Sequence, residues 1–374
     1  MAQRALTGLR VADFSHVVAG PLATHFLALN GAEVVKIEPP RGDALRNYTL
    51  DPAQRGMAPA FGGINIGKTS VVLDLKTEEG RAKAEAIIAQ SDVVVENFRP
   101  GVMARLGLGP AEMRAKYPHL IWCAVSGFGQ SGPMADVAAM DQIIQSLSGV
   151  MQLSGLPGDP ALRIGFPLVD TFTGLLAAFA IQTALLQRER GLVAGQEIDV
   201  AMLDAALVML LSVVNPLLMT GEEPLRTGNR GFSRAPTSDT FACADGEITI
   251  GAVEDWHVAK LLAVLGLADL LDDPAYATRT ARAAHADALA ARLAAALATQ
   301  PAAHWEDALR AVGVPAARVQ DVGQAVAMPH LAQRDLFLTL PAPDGGTQRV
   351  LNAGFRFREG GPGTDRPAPV LGAG

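Results

Sequence analysis

The chain has 374 residues, of which 49% are hydrophobic and 18% charged, with a formal net charge of -7. This length predicts two domains, or one large domain with a smaller satellite, and the apolar content suffices for a sizeable core. A mildly acidic chain with interspersed charges is not typical of a general nucleic-acid-binding protein. Cys123 and Cys243 lie far apart and match no metal-binding or redox spacing, so we predict no metal site.

The N-terminal segment lacks the long apolar core behind a basic start that marks a signal peptide. The very apolar stretch at residues 203–218 is interrupted by Asp204, Asn215 and Pro216, so we interpret it as a buried helix rather than a membrane span. We therefore expect a cytoplasmic protein that binds neither membranes nor nucleic acids.

Short apolar strands alternate with loops and helices over the first part of the chain. The predicted strands cover residues 9–14, 32–38, 70–75, 92–96 and 119–125, and residues 197–200 form either a strand or the start of a helix. Such repeated units predict an α/β fold with a doubly wound sheet and ligand groups on the loops at the carboxyl ends of the strands. The first unit lacks the G-x-G-x-x-G turn of a dinucleotide site.

A lone carboxylate, Asp170, stands at the start of a long apolar segment and is the only acidic residue between Asp159 and Glu189. Considered alone, such an Asp most commonly caps the helix that follows it. The alternative is a nucleophilic carboxylate that the helix dipole keeps ionised. The two roles are compatible.

A Pro/Gly/Arg-rich stretch at residues 221–238 is a candidate linker. Beyond it, residues 239–250 predict a β-hairpin with a tight Asp245-Gly246 turn. Helices are predicted at residues 256–265, 279–298 and 302–312, with a turn at 313–317 and short strands beyond 338. We therefore assign a large domain to residues 1–220, a small α/β domain to 239–325, and a segment returning to the large domain to 326–374.

Several motifs, in order, resemble the class III CoA-transferases, the family of formyl-CoA transferase and carnitine CoA-transferase. They are ADFSHVVAGP at 12–21, GAEVVKIEP at 31–39, NIGKTS at 65–70 with LDLK at 73–76, DVVVENFRPG at 92–101, RLGLG at 105–109, SGFGQSGP at 126–133 and GQEIDVAMLD at 195–204. The resemblance runs from about residue 6 to about residue 355. It implies a Rossmann-like large domain built from both ends of the chain, a small α/β domain, and ring-shaped subunits interlocked in a homodimer.

The resemblance also implies an activity, that of an acyl-CoA:carboxylate CoA-transferase. Asp170 matches the nucleophile, which would form a mixed anhydride with the acyl group and then an aspartyl-CoA thioester. We expect succinyl-CoA or another short acyl-CoA as donor and a small mono- or dicarboxylic acid as acceptor, with coenzyme A as substrate and no tightly bound cofactor. Gly165 and Gly174 would leave room for the bulky thioester.

CoA needs cations for its phosphates and an apolar channel for its pantetheine arm. The resemblance implies CoA contacts at His16, Val17, Ala19, Leu73, Lys76, Asn97, Phe98, Arg105 and Met202, with Met202 near the acyl end. Lys76 has the alternative role of a surface residue that opens a helix. Arg41 and Arg46, on an irregular loop, are alternative phosphate ligands.

Departures from the family pattern reduce the range of reactions that we expect. Val18 stands where the formyl-CoA transferase branch has Gln, and residues 250–253 lack its glycine tetrad, which argues against a formate/oxalate pair. Met140 stands where the related α-methylacyl-CoA racemases have a catalytic His, and a thioether cannot accept a proton from an α-carbon. A racemase or epimerase and a non-catalytic CoA-binding protein remain the alternatives. Arg163, Arg230 or Arg234 could bind a second acceptor carboxylate.

Overall fold

The computed structural model describes residues 3–231, 233–342 and 345–373. The chain forms two compact units, one of residues 1–151, 163–222 and 329–374, the other of residues 152–162 and 223–328. Residues 152–162 were assigned to the large domain from the sequence, but they belong to the second unit. The physical reason is Arg226, whose guanidinium donates hydrogen bonds to the carbonyl oxygens of Gln152, Asp159 and Pro160.

The first unit is built on a parallel sheet in the order β3-β2-β1-β4-β5-β6. Its strands are β1 Arg10–Asp13, β2 Glu33–Glu38, β3 Thr69–Val72, β4 Val93–Glu96, β5 Ile121–Ser126 and β6 Gln196–Ala201. The predicted α/β sheet is confirmed, and the undecided segment near residue 197 is its sixth strand. Because the strand order reverses between β1 and β4, the loops that follow these two strands flank a crevice, which is where such folds bind ligands.

The strands are apolar on both faces because helices cover the sheet on both sides. Along β5, for example, Cys123 belongs to one buried cluster and Trp122 to another on the opposite face. The helices up to residue 220 are α1 Ala19–Leu29, α2 Pro59–Ile64, α3 Glu78–Ala89, α4 Val102–Arg105, α5 Pro110–Lys116, α6 Asp141–Leu147, α7 Val150–Leu153, α8 Leu168–Glu189, α9 Met202–Met209 and α10 Leu211–Thr220.

The long helix α8 packs along α1 through small residues. A Cβ atom on Gly174 would lie 2.7 Å from the carbonyl oxygen of Ala19 and 2.9 Å from the Cβ of Leu22. Gly174 therefore makes room for α1, and the expectation that it makes room for a thioester is wrong. The helix is long and apolar enough to cross a membrane, but 39% of its most apolar window is buried inside the protein.

The apolar stretch at residues 203–218 does not form one buried helix. It forms α9 and α10, which meet at an angle of 81°. Pro216 lies inside α10, and no residue of α10 is buried. The prediction of a buried helix is therefore wrong for this second half, which exposes Leu211, Leu218 and Met219.

The second unit combines an antiparallel sheet with helices around its own apolar core. Its elements are β7 Ser238–Ala242, β8 Glu247–Gly251, α11 Asp255–Val264, α12 Arg279–Ala284, α13 Ala286–Leu297, α14 Ala302–Ala311, β9 Ala316–Arg318 and α15 Val322–Val326. The helix predicted at 279–298 is interrupted at His285, which is not helical. Strand β9 lies where a turn was predicted, and it pairs with β8 through Ile248, Thr249 and Ile250.

The C-terminal segment returns to the first unit. It contains α16 Pro329–Ala332 and a hairpin of β10 Phe337–Pro341 and β11 Thr347–Leu351. Leu340 packs with Leu29 and Ile66 from the N-terminal half. The Arg366 guanidinium donates to the carbonyl oxygen of Gly67 at 2.7 Å. The first unit is thus built from both ends of the chain.

Candidate active site

The loop after β1 is held by the loop after β4, across the crevice. The backbone N–H of His16 donates to Oδ1 of Asn97 at 2.9 Å, and Nδ2 of Asn97 donates back to the His16 carbonyl at 2.8 Å. Both polar ends of the Asn97 side chain are therefore engaged with the backbone. Asn97 is a predicted CoA contact, and in the structure its amide fixes the position of His16.

Val17 adopts a left-handed backbone conformation with φ of 65°. For a β-branched residue this conformation is strained, and such strain persists only where the surroundings impose it. The Val17 N–H donates to both carboxylate oxygens of Asp43, at 3.1 and 3.2 Å. Asp43 forms a buried ion pair with Lys36 at 3.0 Å, and Lys36 donates to the carbonyl oxygen of Ser15. Buried charges thus fix this loop on both sides of His16.

A second buried ion pair lies next to this loop, where the Ser15 N–H donates to Asp13. Asp13 pairs with Lys68 at 3.1 Å, with both side chains fully buried. Burial alone would raise the pKa of Asp13, but Lys68, Lys36 and the neighbouring hydroxyls outweigh it and lower that pKa. Burial lowers the pKa of Lys68 to about 8, and the Asp13 charge opposes this shift. The carboxylate therefore stays ionised at the end of β1.

Arg46 is not available to bind a phosphate group. Its side chain is 2% exposed and forms two hydrogen bonds to the carboxylate of Glu38, at 2.6 and 2.7 Å. The alternative role of phosphate ligand, suggested by the sequence, is therefore wrong for Arg46. Arg41 on the same loop is exposed, and its predicted role stays a prediction.

A cavity of about 470 Å³ opens at the crevice. This volume is within the range of small-molecule sites. The cavity lining includes His16, Leu73, Lys76 and Phe98 from the predicted CoA contacts, together with Phe14, Ser15, Ile37, Glu38, Pro39, Gly42, Asp43, Ala44, Asp74, Leu75, Val102 and Leu106. The structure therefore brings together residues from motifs that are far apart in sequence.

His16 forms one wall of this cavity. Its ring lies 5.4 Å from the ring of Phe98, centroid to centroid. Burial lowers the pKa of His16, with Asp43 opposing the shift and Lys36 adding to it. The imidazole is therefore mostly neutral at pH 7. It lies beside the Phe98 ring at an interplanar angle of 42°, so the two rings offer separate uncharged faces on which an aromatic ligand can stack.

The other predicted contacts do not line the cavity. Arg105 is exposed on α4, between the lining residues Val102 and Leu106. Ala19 is buried at the start of α1, against α8. Met202 lies in a separate buried cluster with Val169, the residue before Asp170.

Asp170 is half-buried in the first turn of α8, but it does not cap this helix. The position preceding the helix is Pro167, and Asp170 lies three residues after it. The carboxylate that accepts from the free N–H groups belongs to Asp141, 2.8 Å from the N atom of Val169 and 3.1 Å from that of Asp170. The predicted capping role of Asp170 is therefore wrong.

The charge state of Asp170 also differs from the expectation. Burial and, second, the Asp141 charge raise the pKa of Asp170 to about 7. The helix dipole was expected to keep the carboxylate ionised, whereas the raised pKa favours the protonated form. A carboxyl with a pKa near the working pH is a stronger base and nucleophile than a freely hydrated one.

Asp170 and the loop at residues 16–18 lie at the same edge of the sheet. Gly174, one helical turn after Asp170, contacts Ala19, the first residue of α1. One turn of helix spans about 5.4 Å, so the first turn of α8 lies beside the loop that leads into α1. The nucleophile candidate and the crevice thus share one side of the first unit.

Three arginines were candidates for binding a second carboxylate of the acceptor acid, and their surroundings differ. Arg230 pairs with Asp239 and Asp287 inside the second unit. Arg163 is exposed in the segment before α8, and Arg234 has a left-handed backbone with φ of 55°. Met140, at the position of the racemase His, is 59% exposed.

Comparison with known proteins agrees with this geometry. The model of CoA-transferase family III matches residues 6–374. An acetyl-CoA:oxalate CoA-transferase from Acetobacter aceti is 40% identical over 88% of this chain and 85% of that protein. A succinate–glutarate CoA-transferase from Agrobacterium fabrum is 33% identical over 98% of this chain and 93% of that protein.

Among solved structures, a CAIB/BAIF family protein from Brucella suis has a TM-score of 0.89 and 34% identity, covering 99% of this chain and 97% of that one. A Mycobacterium tuberculosis protein has a TM-score of 0.87 and 33% identity, covering 100% and 98%. Both share the fold over essentially their whole length. With the family match across the chain and curated relatives that are CoA-transferases, this protein is an enzyme of CoA-transferase family III.

Proposed function

We propose that this enzyme moves CoA from a short acyl-CoA, such as succinyl-CoA, to a small carboxylic or dicarboxylic acid, with Asp170 as nucleophile. The observation that carries the proposal is the half-buried Asp170 carboxyl, with a pKa raised to about 7 by burial and Asp141, on the same sheet edge as the crevice. The relatives' names include succinyl-CoA:D-citramalate and succinyl-CoA:mesaconate transferases, which supports this substrate class.

In the proposed first half-reaction, an Asp170 oxygen attacks the donor thioester carbon and the CoA thiolate leaves, forming an acyl-aspartyl anhydride. The thiolate then attacks the Asp170 carbonyl carbon and expels the donor acid as its carboxylate. Asp170 is left as a CoA thioester. The acceptor carboxylate repeats these steps in reverse and leaves with CoA, which regenerates the Asp170 carboxylate.

The cavity is the proposed site for the nucleotide end of CoA. His16 and Phe98 offer stacking surfaces for adenine, and Leu73 adds an apolar contact. Lys76 lines the same cavity and is exposed, so its ammonium group can reach a phosphate. Arg41 and Arg105, both exposed, remain the proposed further phosphate ligands.

The remaining contacts are proposed for the pantetheine arm and the acyl group. Val17 and Ala19, at the turn into α1, are the proposed contacts of the pantetheine arm, and the backbone rather than the side chain would make the contact at the buried Ala19. Met202 shares a cluster with Val169 and so lies next to the nucleophile segment.

We also propose a cytoplasmic homodimer of interlocked rings. Leu175, Phe179 and Leu186 form an exposed apolar stripe on α8, and α10 also exposes the apolar side chains of Leu218 and Met219. Large exposed apolar patches often mark an interface. Light scattering should give twice the chain mass. Mixing tagged and untagged protein should yield mixed dimers only after unfolding and refolding, because interlocked rings cannot separate while folded.

The activity is tested by incubating the enzyme with succinyl-CoA and a panel of carboxylic acids, with mass spectrometry of the CoA products. We expect new acyl-CoA esters with one or a few acids, and their loss in Asp170→Ala. Glu189→Gln, which alters an exposed carboxylate at the other end of α8, is the matched control and should keep activity. Deuterium incorporation at the acyl α-carbon, with no acceptor consumed, would instead indicate a racemase.

A further inference from the structure

The start of α8 is held by a carboxylate from another helix. Asp141, the first residue of α6, accepts hydrogen bonds on Oδ1 from the N–H groups of Val169 and Asp170. Most helices are capped by the residue directly preceding them. Pro167 has no side-chain acceptor, so Asp141 takes over this role from 28 to 29 positions away.

A second side chain of α6 completes this arrangement. Gln145 donates from Nε2 to Oδ2 of Asp141 at 2.6 Å, and its Oε1 accepts from the N–H of Ile164 at 2.8 Å. Gln145 is fully buried and Asp141 is 8% exposed. Two residues one turn apart on α6 thus hold residues 164–170 at both ends, and they fix the backbone that carries Asp170.

Apolar packing reinforces the same contact. Ile144, between the two polar residues, is fully buried against Val169 in one cluster with Met202 and Ala206. The side chain before Asp170 is therefore immobilised, while the Asp170 carboxyl itself is half-buried and open to a reaction partner.

Asp141 also acts on Asp170 through its charge. The elements packed against α8 bring further titratable groups, namely His25 on α1, Asp204 on α9, Cys123 on β5, and Glu197 and Asp199 on β6. Among the described titratable groups on the elements packed against α8, Asp141 is the one whose charge shifts the pKa of Asp170. His25 is neutral at pH 7, because burial and the Lys68 charge lower its pKa to about 3.

We propose that Asp141 is a positioning residue for the nucleophile, which holds the Asp170 backbone with Gln145 and favours the acylated, uncharged forms of Asp170 through its own negative charge. When Asp170 forms an anhydride or a thioester, the repulsion between the two carboxylates disappears. The free carboxylate is therefore destabilised relative to both covalent intermediates. This inference rests on the proposed role of Asp170 as nucleophile.

Asp141→Asn and Gln145→Ala separate the two effects. Asp141→Asn keeps an oxygen acceptor for the two N–H groups but removes the charge. Gln145→Ala keeps the charge but removes the support of residues 164–170. The readout is the rate at which the donor carboxylate is released from acyl-CoA in a single turnover without acceptor, measured from pH 5 to 9. Circular dichroism confirms that each variant is folded.

For the native enzyme the rate should rise with pH to a midpoint near pH 7. In Asp141→Asn the midpoint should fall by roughly one pH unit. In Gln145→Ala the maximal rate should fall severalfold with the midpoint unmoved. Asp141→Glu, which keeps the charge, should keep a midpoint close to native and serves if Asp141→Asn does not fold.

An unchanged midpoint in folded Asp141→Asn, or a native rate in Gln145→Ala, would overturn the inference. If Asp141→Asn does not fold, a lowered pH midpoint in Asp141→Glu, which keeps the negative charge, would overturn the inference. Failure of the proposed function is distinguishable, because the native enzyme would then release no donor carboxylate and carry no covalently bound CoA on Asp170. If the native enzyme carries CoA covalently bound to Asp170 but the midpoint of Asp141→Asn is unshifted, only the role of Asp141 is refuted.

Discussion

The backbone N–H of Asp170 donates a hydrogen bond to the carboxylate of Asp141, 3.1 Å away, and the two carboxyl groups share one end of α8. This contact affects both the position and the charge state of Asp170. The same side chain that completes the hydrogen bonding of the helix makes the ionised form of Asp170 less favourable. A helix dipole alone would have had the opposite effect.

The raised pKa of Asp170 predicts a pH-dependent gain in stability for Asp170→Asn. Because the folded-state pKa is above the ordinary value of 3.8 for an Asp side chain, the folded protein binds more protons than the unfolded chain, and its stability falls as pH rises from about 4 to about 7. Asp170→Asn should therefore raise the free energy of unfolding at pH 8, by an amount on the order of a few kcal/mol, and leave it nearly unchanged at pH 4. Urea unfolding at both pH values measures this. An equal effect at both would contradict it.

Replacement by Ala should destabilise the protein at Gly174 but have almost no effect at Gly165. In Gly174→Ala the new Cβ would lie 2.7 Å from the Ala19 carbonyl oxygen, so the overpacking cost of about 1–3 kcal/mol should outweigh the gain in helix propensity of about 1 kcal/mol. A Cβ on Gly165 meets no atom within 4 Å, so Gly165→Ala should have almost no effect. Thermal unfolding compares them. Equal melting temperatures would show that α1 and α8 do not approach this closely.

The buried ion pair of Asp43 and Lys36 should matter far more than an exposed one. Asp43→Asn leaves Lys36 buried with an uncompensated charge, and we expect a loss of about 3–5 kcal/mol. Glu33→Gln removes the partner of Arg10 in an exposed pair, and we expect a loss below about 1 kcal/mol. Chemical denaturation measures both. A small loss in Asp43→Asn would mean that the strained Val17 conformation is held by other contacts.

Asn97 should act on binding through His16. Asn97→Ala removes both hydrogen bonds to the His16 backbone, at a cost of about 1–3 kcal/mol. Because His16 would then be held less firmly in the cavity wall, KM for acyl-CoA should rise roughly tenfold, while kcat should change less. Gln90→Ala removes a surface hydrogen bond to Arg10 and serves as the control. A fall in kcat with KM unchanged would contradict this role.

The strands were predictable because their local signal is strong. Runs such as residues 92–96 are rich in Val and bounded by a loop with Pro and Gly, so only the ends of the predicted strands shifted, by up to three residues. Strand β9 was missed because Ala316–Arg318 is short and is stabilised by pairing with β8, which lies far away in the sequence. The break at His285 was equally invisible, since its neighbours all favour a helix.

The site was predictable only in part, because many of its contacts join residues that are far apart in the sequence. The motifs identified His16, Leu73, Lys76 and Phe98, which one cavity brings together. The partners that set their geometry are long-range, as in the contact of Asp141 with residues 169 and 170, and carry no local pattern. The capping role of Asp170 was wrong because the helix begins at Leu168, two residues before it.

The covalent role of Asp170 is the central claim, and one measurement tests it most directly. The enzyme is incubated with acyl-CoA, trapped with hydroxylamine, digested, and analysed by mass spectrometry. The account predicts a hydroxamate on the peptide containing Asp170, dependent on acyl-CoA and absent in Asp170→Ala. A modification at another residue, or CoA transfer with no modified residue at any time point, would contradict it.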